Sequence, residues 1–132
     1  MLRFMLDTDI CVYVMTNKYP ELSIRFEENA GEICTSSIAL GELWYGVENS
    51  TRRETNLGAL VEFVGRLSVV EFSADAAAHY GQIRAGLKRS GRLIGFHDML
   101  IGAHARSEGL TLVTNNRREF DRMPGLLVEN WM

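Results

Sequence analysis

Short apolar runs alternate along this chain with longer stretches in which apolar residues recur every three or four positions. The first run, Leu2–Leu6, is interrupted only by Arg3 and ends in Asp7-Thr8-Asp9; it reads as a buried strand that finishes in acid. Ile10–Thr16 stays apolar and starts a short helix just after Thr8-Asp9. Pro20 opens the next helix, where its fixed φ and missing amide do no harm, and Gly31 ends it. Glu32–Thr35 reads as a second strand. Ser36 or Ser37 then caps a helix that carries Glu42, and Asn49-Ser50-Thr51 breaks that helix. Across Arg52–Gly65, Leu57, Leu60, Val61 and Val64 keep helical spacing. Leu67–Phe72 is β-rich. Ser73 caps a long helix through Arg89, with His79, Ile83 and Leu87 spaced by four, and Gly91 stops it. Asp98–Ser107 is a helix ended by Gly109, and Leu110–Val113 a strand. Arg117–Phe120 is one helical turn, and Leu126–Val128 a last short strand.

Strands that alternate with helices predict an α/β fold: a central parallel sheet of about five short strands, joined by right-handed crossovers and flanked by helices. A chain of 132 residues is one domain on size, spanning residues 1–132. Open sheets of this kind bind ligands beyond the carboxyl ends of their strands. Asp7 and Thr114-Asn115-Asn116 both fall just past strand ends, and Glu42 and Asp98 fall on helices able to flank that rim.

Three carboxylates therefore stand out: Asp7, Glu42 and Asp98. Each has a plain structural reading. Asp7 and Asp98 are good helix caps, and a lone glutamate within a helix is usually solvated. Glu42, however, is flanked by Leu40, Leu43 and Trp44, which suits a half-buried acid sharing a face with Ile38, Tyr45 and Gly46. Small residues at Gly102, Ala103 and Ala105 predict that the helix bearing Asp98 packs tightly on the sheet and aims that acid at the rim. Acids gathered at one rim repel one another unless a hard cation holds them, so at least one should have a raised pKa without metal. Such a cluster suits metal-assisted chemistry on phosphates.

The other polar residues change this picture little. His97, beside Asp98, is able to orient a phosphate or donate a proton, but a lone histidine is more often structural or exposed. His79 and His104 read as packing residues. Arg84, Lys88, Arg89 and Arg92 surround the Gly91 turn and read as a solvated helix end, with a role in holding nucleic acid only if that turn borders the acids. Tyr13, Trp44 and Tyr45 are able to stack on bases, with core packing the plainer reading for at least one. A net charge of −3 excludes a generic basic coat for duplex nucleic acid. No apolar span is long enough to cross a membrane, and the run before Asp7 is too short for a secretory signal, so the expected location is the cytoplasm. Cys11 and Cys34 lie in apolar surroundings and read as buried free thiols.

Two other chemistries share some of these marks. Asp7-Thr8-Asp9 fits the Asp-x-Asp nucleophile motif of haloacid-dehalogenase-type phosphatases, which also need a lysine near the site; Lys18 and Lys88 are badly placed for it. A signalling receiver domain also begins with strand-end acids. It needs an acceptor aspartate after its middle strand and a lysine after its last, where this chain has Asp75 and Glu129.

The ordered set of motifs resembles the PIN-domain ribonucleases, and specifically the VapC toxins of bacterial toxin–antitoxin pairs. The marks are Phe4-Met5-Leu6-Asp7-Thr8-Asp9-Ile10, Ser36-Ser37-Ile38-Ala39-Leu40-Gly41-Glu42-Leu43-Trp44-Tyr45-Gly46, Gly91-Arg92-Leu93-Ile94-Gly95-Phe96-His97-Asp98 and Leu112-Val113-Thr114-Asn115-Asn116-Arg117-Arg118-Glu119-Phe120. The resemblance implies an endoribonuclease dependent on Mg²⁺ or Mn²⁺, with Asp7, Glu42 and Asp98 as metal ligands. The family's usual fourth acid, in a Thr-x-Asp pattern, is here Asn116 of Thr114-Asn115-Asn116, which puts a second metal ion in doubt. Glu119 or Asp9 would compensate from the outer shell, with Thr8 and Thr114 positioning waters or phosphate. The resemblance further implies a tRNA substrate, including initiator tRNA, a homodimer, and neutralisation by a VapB-type antitoxin. A degenerate member that only binds a partner is the remaining alternative, and the intact Asp7, Glu42 and Asp98 argue against it.

Overall fold

A computed structural model describes residues 1–132. Five parallel strands, β1 (Phe4–Leu6), β2 (Ile33–Ser36), β3 (Ser68–Val70), β4 (Thr111–Val113) and β5 (Leu127–Glu129), form one sheet in the order β3-β2-β1-β4-β5. Register pairs Met5 with Cys34 on one side and with Leu112 on the other. The helices are α1 (Thr8–Met15), α2 (Pro20–Glu28), α3 (Ser37–Glu48), α4 (Arg53–Val64), α5 (Ala74–Arg89), α6 (Phe96–Ser107) and α7 (Arg117–Phe120). Strands β1 and β3 are shorter than their apolar runs suggested: Leu2 and Arg3 precede the ladder, and Glu71-Phe72 follow it.

Side chains alternate across a strand, so β1 feeds both faces of the sheet. Phe4 and Leu6 join a core built with α1, α2, α3 and α4. Met5 joins a second core built with α5, α6 and α7. Both faces are covered, which is why β1 and β2 are buried without a polar face. The small residues of α6 do bring it close: a Cβ added at Gly102 would come within 2.8 Å of Met123 Cε.

Strand order positions the site. From β1 the chain moves outward to β2 and β3, then returns to place β4 and β5 on the opposite side. Connections diverge at the β1/β4 pair, so a crevice opens beyond the carboxyl ends of those two strands. Asp7 follows β1 there, its amide donating to the Val113 carbonyl at 3.1 Å, and Thr114 follows β4.

Candidate active site

Asp7 is both cap and buried acid. Its Oδ1 accepts from the Ile10 amide at 2.9 Å, capping α1, and the residue is only 5% exposed. Burial is the largest cause of its pKa rising to about 6; Asp9 and Asp98 push the same way, while the Thr114 hydroxyl and the Ile10 amide pull it down. Capping and a place in the crevice are therefore one arrangement.

Asp98 is not a cap. Helix α6 begins two residues earlier, at Phe96, with Gly95 as N-cap and no side-chain cap bond, so Asp98 stands in the first turn. Its pKa also rises to about 6, first through burial, then through the charge of Glu119 and a side-chain hydrogen bond with it, then through Glu42 and Asp9. The expected raised pKa values are present, but water exclusion outweighs the mutual repulsion that predicted them.

Glu42 is half-buried on α3, as its apolar flanks suggested. The Thr8 hydroxyl donates to Oε1 at 2.6 Å, and His97 Nδ1 lies 2.9 Å from Oε2. Both contacts aim the carboxylate into the crevice. Helix α3 itself starts at Ser36, whose Oγ accepts from the Ile38 amide at 3.0 Å.

Asp98 thus lies within electrostatic reach of Glu119, Glu42 and Asp9, and Asp7 within reach of Asp9 and Asp98. Thr114 is buried beside Asp7, with its hydroxyl accepting from the Asn116 amide at 2.9 Å. Asn116 sits half-buried at the start of α7. No three histidine, cysteine or acidic side chains stand close enough to cage an ion by themselves. The donor set is nonetheless all hard oxygen, and magnesium needs few protein carboxylates because it keeps several waters. A cleft of about 710 Å³ opens beside Glu42 between α3 and α6, lined by Thr8, Ile38, Glu42, Tyr45, His97 and Leu100.

Two contacts had no signal in the sequence. The reach of His97 to Glu42 joins α6 to α3, and the closeness of Asp98 to Glu119 brings α6 to α7. Each needs the relative placement of helices that spacing does not encode. Tyr13 packs edge-on against Tyr19, under Lys18, whereas Trp44 and Tyr45 are exposed. Cys11 and Cys34 are buried free thiols, as expected.

A family profile for the PIN domain matches residues 4–126. Ribonuclease VapC2 of Haemophilus influenzae is 48% identical over 132 residues, covering all of both chains. The chain belongs to the VapC family of PIN-domain proteins. Its VapC relatives include the tRNA(fMet)-specific endonuclease VapC of Shigella flexneri, 50% identical over 131 residues and 99% of each chain. The PIN-domain fold matches that in a crystal structure of DNA-bound VapBC from Salmonella typhimurium, with a TM-score of 0.96 and 47% identity over all of both chains. It also matches VapBC2 of Rickettsia felis bound to a promoter DNA fragment, with a TM-score of 0.94, 41% identity, and coverage of 99% of this chain and 100% of that one. Membership retires the phosphatase and receiver readings. No helix of this VapC-family chain is long and apolar enough to cross a membrane.

Proposed function

We propose that this chain is an endoribonuclease toxin that hydrolyses tRNA with the help of Mg²⁺ or Mn²⁺, acting from one PIN domain over residues 1–132. The observation that carries the reading is the convergence at the β1/β4 crevice of Asp7, buried after β1, with Asp98 and with Glu42, whose Oε1 accepts from Thr8 at 2.6 Å. Asp7, Glu42 and Asp98 would hold the cation, with Asp9, Glu119, Thr8, Thr114 and Asn116 around them. A bound divalent cation supplies positive charge at the scissile phosphate and a water of lowered pKa.

The chain's own groups prepare this chemistry. Thr8 and His97 fix both oxygens of Glu42, so its carboxylate loses little freedom when it acts. The Ile10 amide orients Asp7 in the same way. Glu119 stands close enough to Asp98 to raise its pKa, and a bound cation would relieve that repulsion. Attack by water leaves the RNA 2′-hydroxyl uninvolved. The products are then 5′-phosphate and 3′-hydroxyl ends.

A tRNA substrate is supported by the name of the Shigella flexneri relative. The VapBC complexes of Salmonella typhimurium and Rickettsia felis support neutralisation by a VapB-type antitoxin. A homodimer in the cytoplasm completes the reading. The test is purified chain with initiator tRNA, in magnesium against chelator, alongside Asp7→Asn. Cleavage is expected only in magnesium and only with Asp7 intact. Undiminished cleavage in chelator, or cyclic phosphate ends, would overturn the reading.

A further inference from the structure

Charge is divided unevenly along this chain. From Arg84 to Arg122, eight arginine and lysine residues stand against four acids, whereas residues 1–83 carry six against twelve. Three of those four acids are already committed: Asp98 and Glu119 lie together in the acid site, and Asp121 pairs with Arg117 at 3.2 Å. Arg84, Lys88, Arg89, Arg92 and Arg118 make no ion pair within the chain, while Arg3, Arg25, Arg53 and Arg66 all do.

Arg84 and the Arg92 backbone are tied to the segments that carry the acids. Helices α5 and α6 run antiparallel, and the Arg84 guanidinium lies 4.5 Å over the ring of Phe96, two residues before Asp98. Arg122 reaches back to the carbonyls of Arg92 and Leu93 at 3.5 and 3.3 Å, which fastens the α5–α6 loop to the segment carrying Glu119. Phe96 is 56% exposed and Leu93 47%. A large ring left in water at the first position of a helix gains little burial on folding. It suits a ligand with a flat apolar face, and the cations beside it suit a polyanion.

Resting on the ribonuclease reading above, we infer that Phe96 with Arg84, Lys88, Arg89, Arg92 and Arg118 forms a platform that holds single-stranded RNA flanking the cut. An unstacked base lies on Phe96 or on the Arg84 plane, and the other cations follow the phosphates. A-form duplex hides its base faces, so the platform selects loops and ends. It also reconciles a net charge of −3 with a nucleic-acid substrate: the attraction is local.

Binding is read first without catalysis, using a fluorescein-labelled single-stranded oligoribonucleotide and the full chain in chelator over a salt series. Cleavage of tRNA in magnesium follows. The variants are Arg84→Glu/Arg92→Glu, Phe96→Ala, Phe96→Trp, and Lys18→Glu as a control far from the crevice. The charge reversal should weaken binding more than about tenfold and flatten the plot of log K against log salt by at least about 1.4, roughly 0.7 per cation. Phe96→Ala should weaken binding about tenfold at every salt concentration with the slope kept, and Phe96→Trp should restore it. In cleavage, KM should rise with kcat retained. Charge reversal no more harmful than Lys18→Glu, in a wild-type chain that cleaves, removes the platform and leaves the reaction standing. Binding through these residues with no cleavage in magnesium keeps the platform and removes the reaction. A wild-type chain that neither binds nor cleaves removes both.

Discussion

His104 Nδ1 lies 2.8 Å from Ser36 Oγ, and both residues are fully buried. Ser36 caps α3 and His104 belongs to α6, so this contact clasps the helix of Glu42 to the helix of Asp98. Burial lowers the His104 pKa and keeps the ring neutral. Ser36 already accepts from the Ile38 amide, so its hydroxyl hydrogen is free for Nδ1. With the hydroxyl donating to Nδ1, the ring proton lies on Nε2, which is buried without a hydrogen-bond partner in the chain. His104→Leu should cost about 1–3 kcal/mol, the usual range for an orphaned buried hydroxyl. It should also lower kcat/KM for RNA in protein that is still folded, because the two acids lose their common frame. Urea unfolding and kinetics on one preparation check both; full activity with lost stability would show that the clasp does not set the acids.

Asp7 gives stability a pH dependence opposite to that of a salt-bridged acid. Its carboxyl titrates at about 6 when folded and at 3.8 as a free side chain. Between those values the folded state binds more proton, so stability falls as pH rises from about 4 to about 6, then levels. At about 1.4 kcal/mol per unit, the cost at neutral pH is on the order of 3 kcal/mol. His104 has the reverse sign: its folded pKa is lowered, so it costs stability as pH falls below 6.5. Asn caps a helix as well as Asp. Metal-free Asp7→Asn should therefore be more stable than wild type at neutral pH, with the gap closing near pH 4. Urea midpoints across that range test this; a variant less stable at pH 7 would mean that capping alone explains Asp7.

Magnesium should relieve the same cost. At about 100 times its Kd, a bound ion adds roughly 2.7 kcal/mol. Melting temperature should climb with magnesium in wild type and stay flat in Asp98→Asn. Equal responses would place the ion elsewhere.

Thr8 holds Glu42 in place. Thr8→Val keeps the shape but removes the 2.6 Å hydrogen bond. Support of this kind is worth about 10–100-fold in activity or metal affinity. The expected result is that loss in kcat/KM, with unfolding changed by less than about 1 kcal/mol. An unaltered rate would show that His97 suffices.

The thiols should be silent. Burial pushes Cys11 and Cys34 up to about 12, so neither forms thiolate at pH 8. A disulfide reagent should titrate both in denaturant and neither in the native chain within minutes.

Much of this was legible before any coordinates. The period of apolar residues located all twelve elements within a few positions, and the caps Ser36 and Ser73 were readable as polar residues before helical spacing. The helix of Asp98 was placed two residues late because Gly95, Phe96 and His97 carry no helix-start chemistry. Asp7, Glu42 and Asp98 were visible as acids at element ends, since residue type and element boundary are both local properties. Strand order, the β1/β4 crevice, the approach of Glu119 to Asp98 and the Ser36–His104 clasp were not. Each is a meeting of residues dozens of positions apart, decided by which helix faces pack together, and a sequence periodicity records only that a face is apolar, not what it will meet.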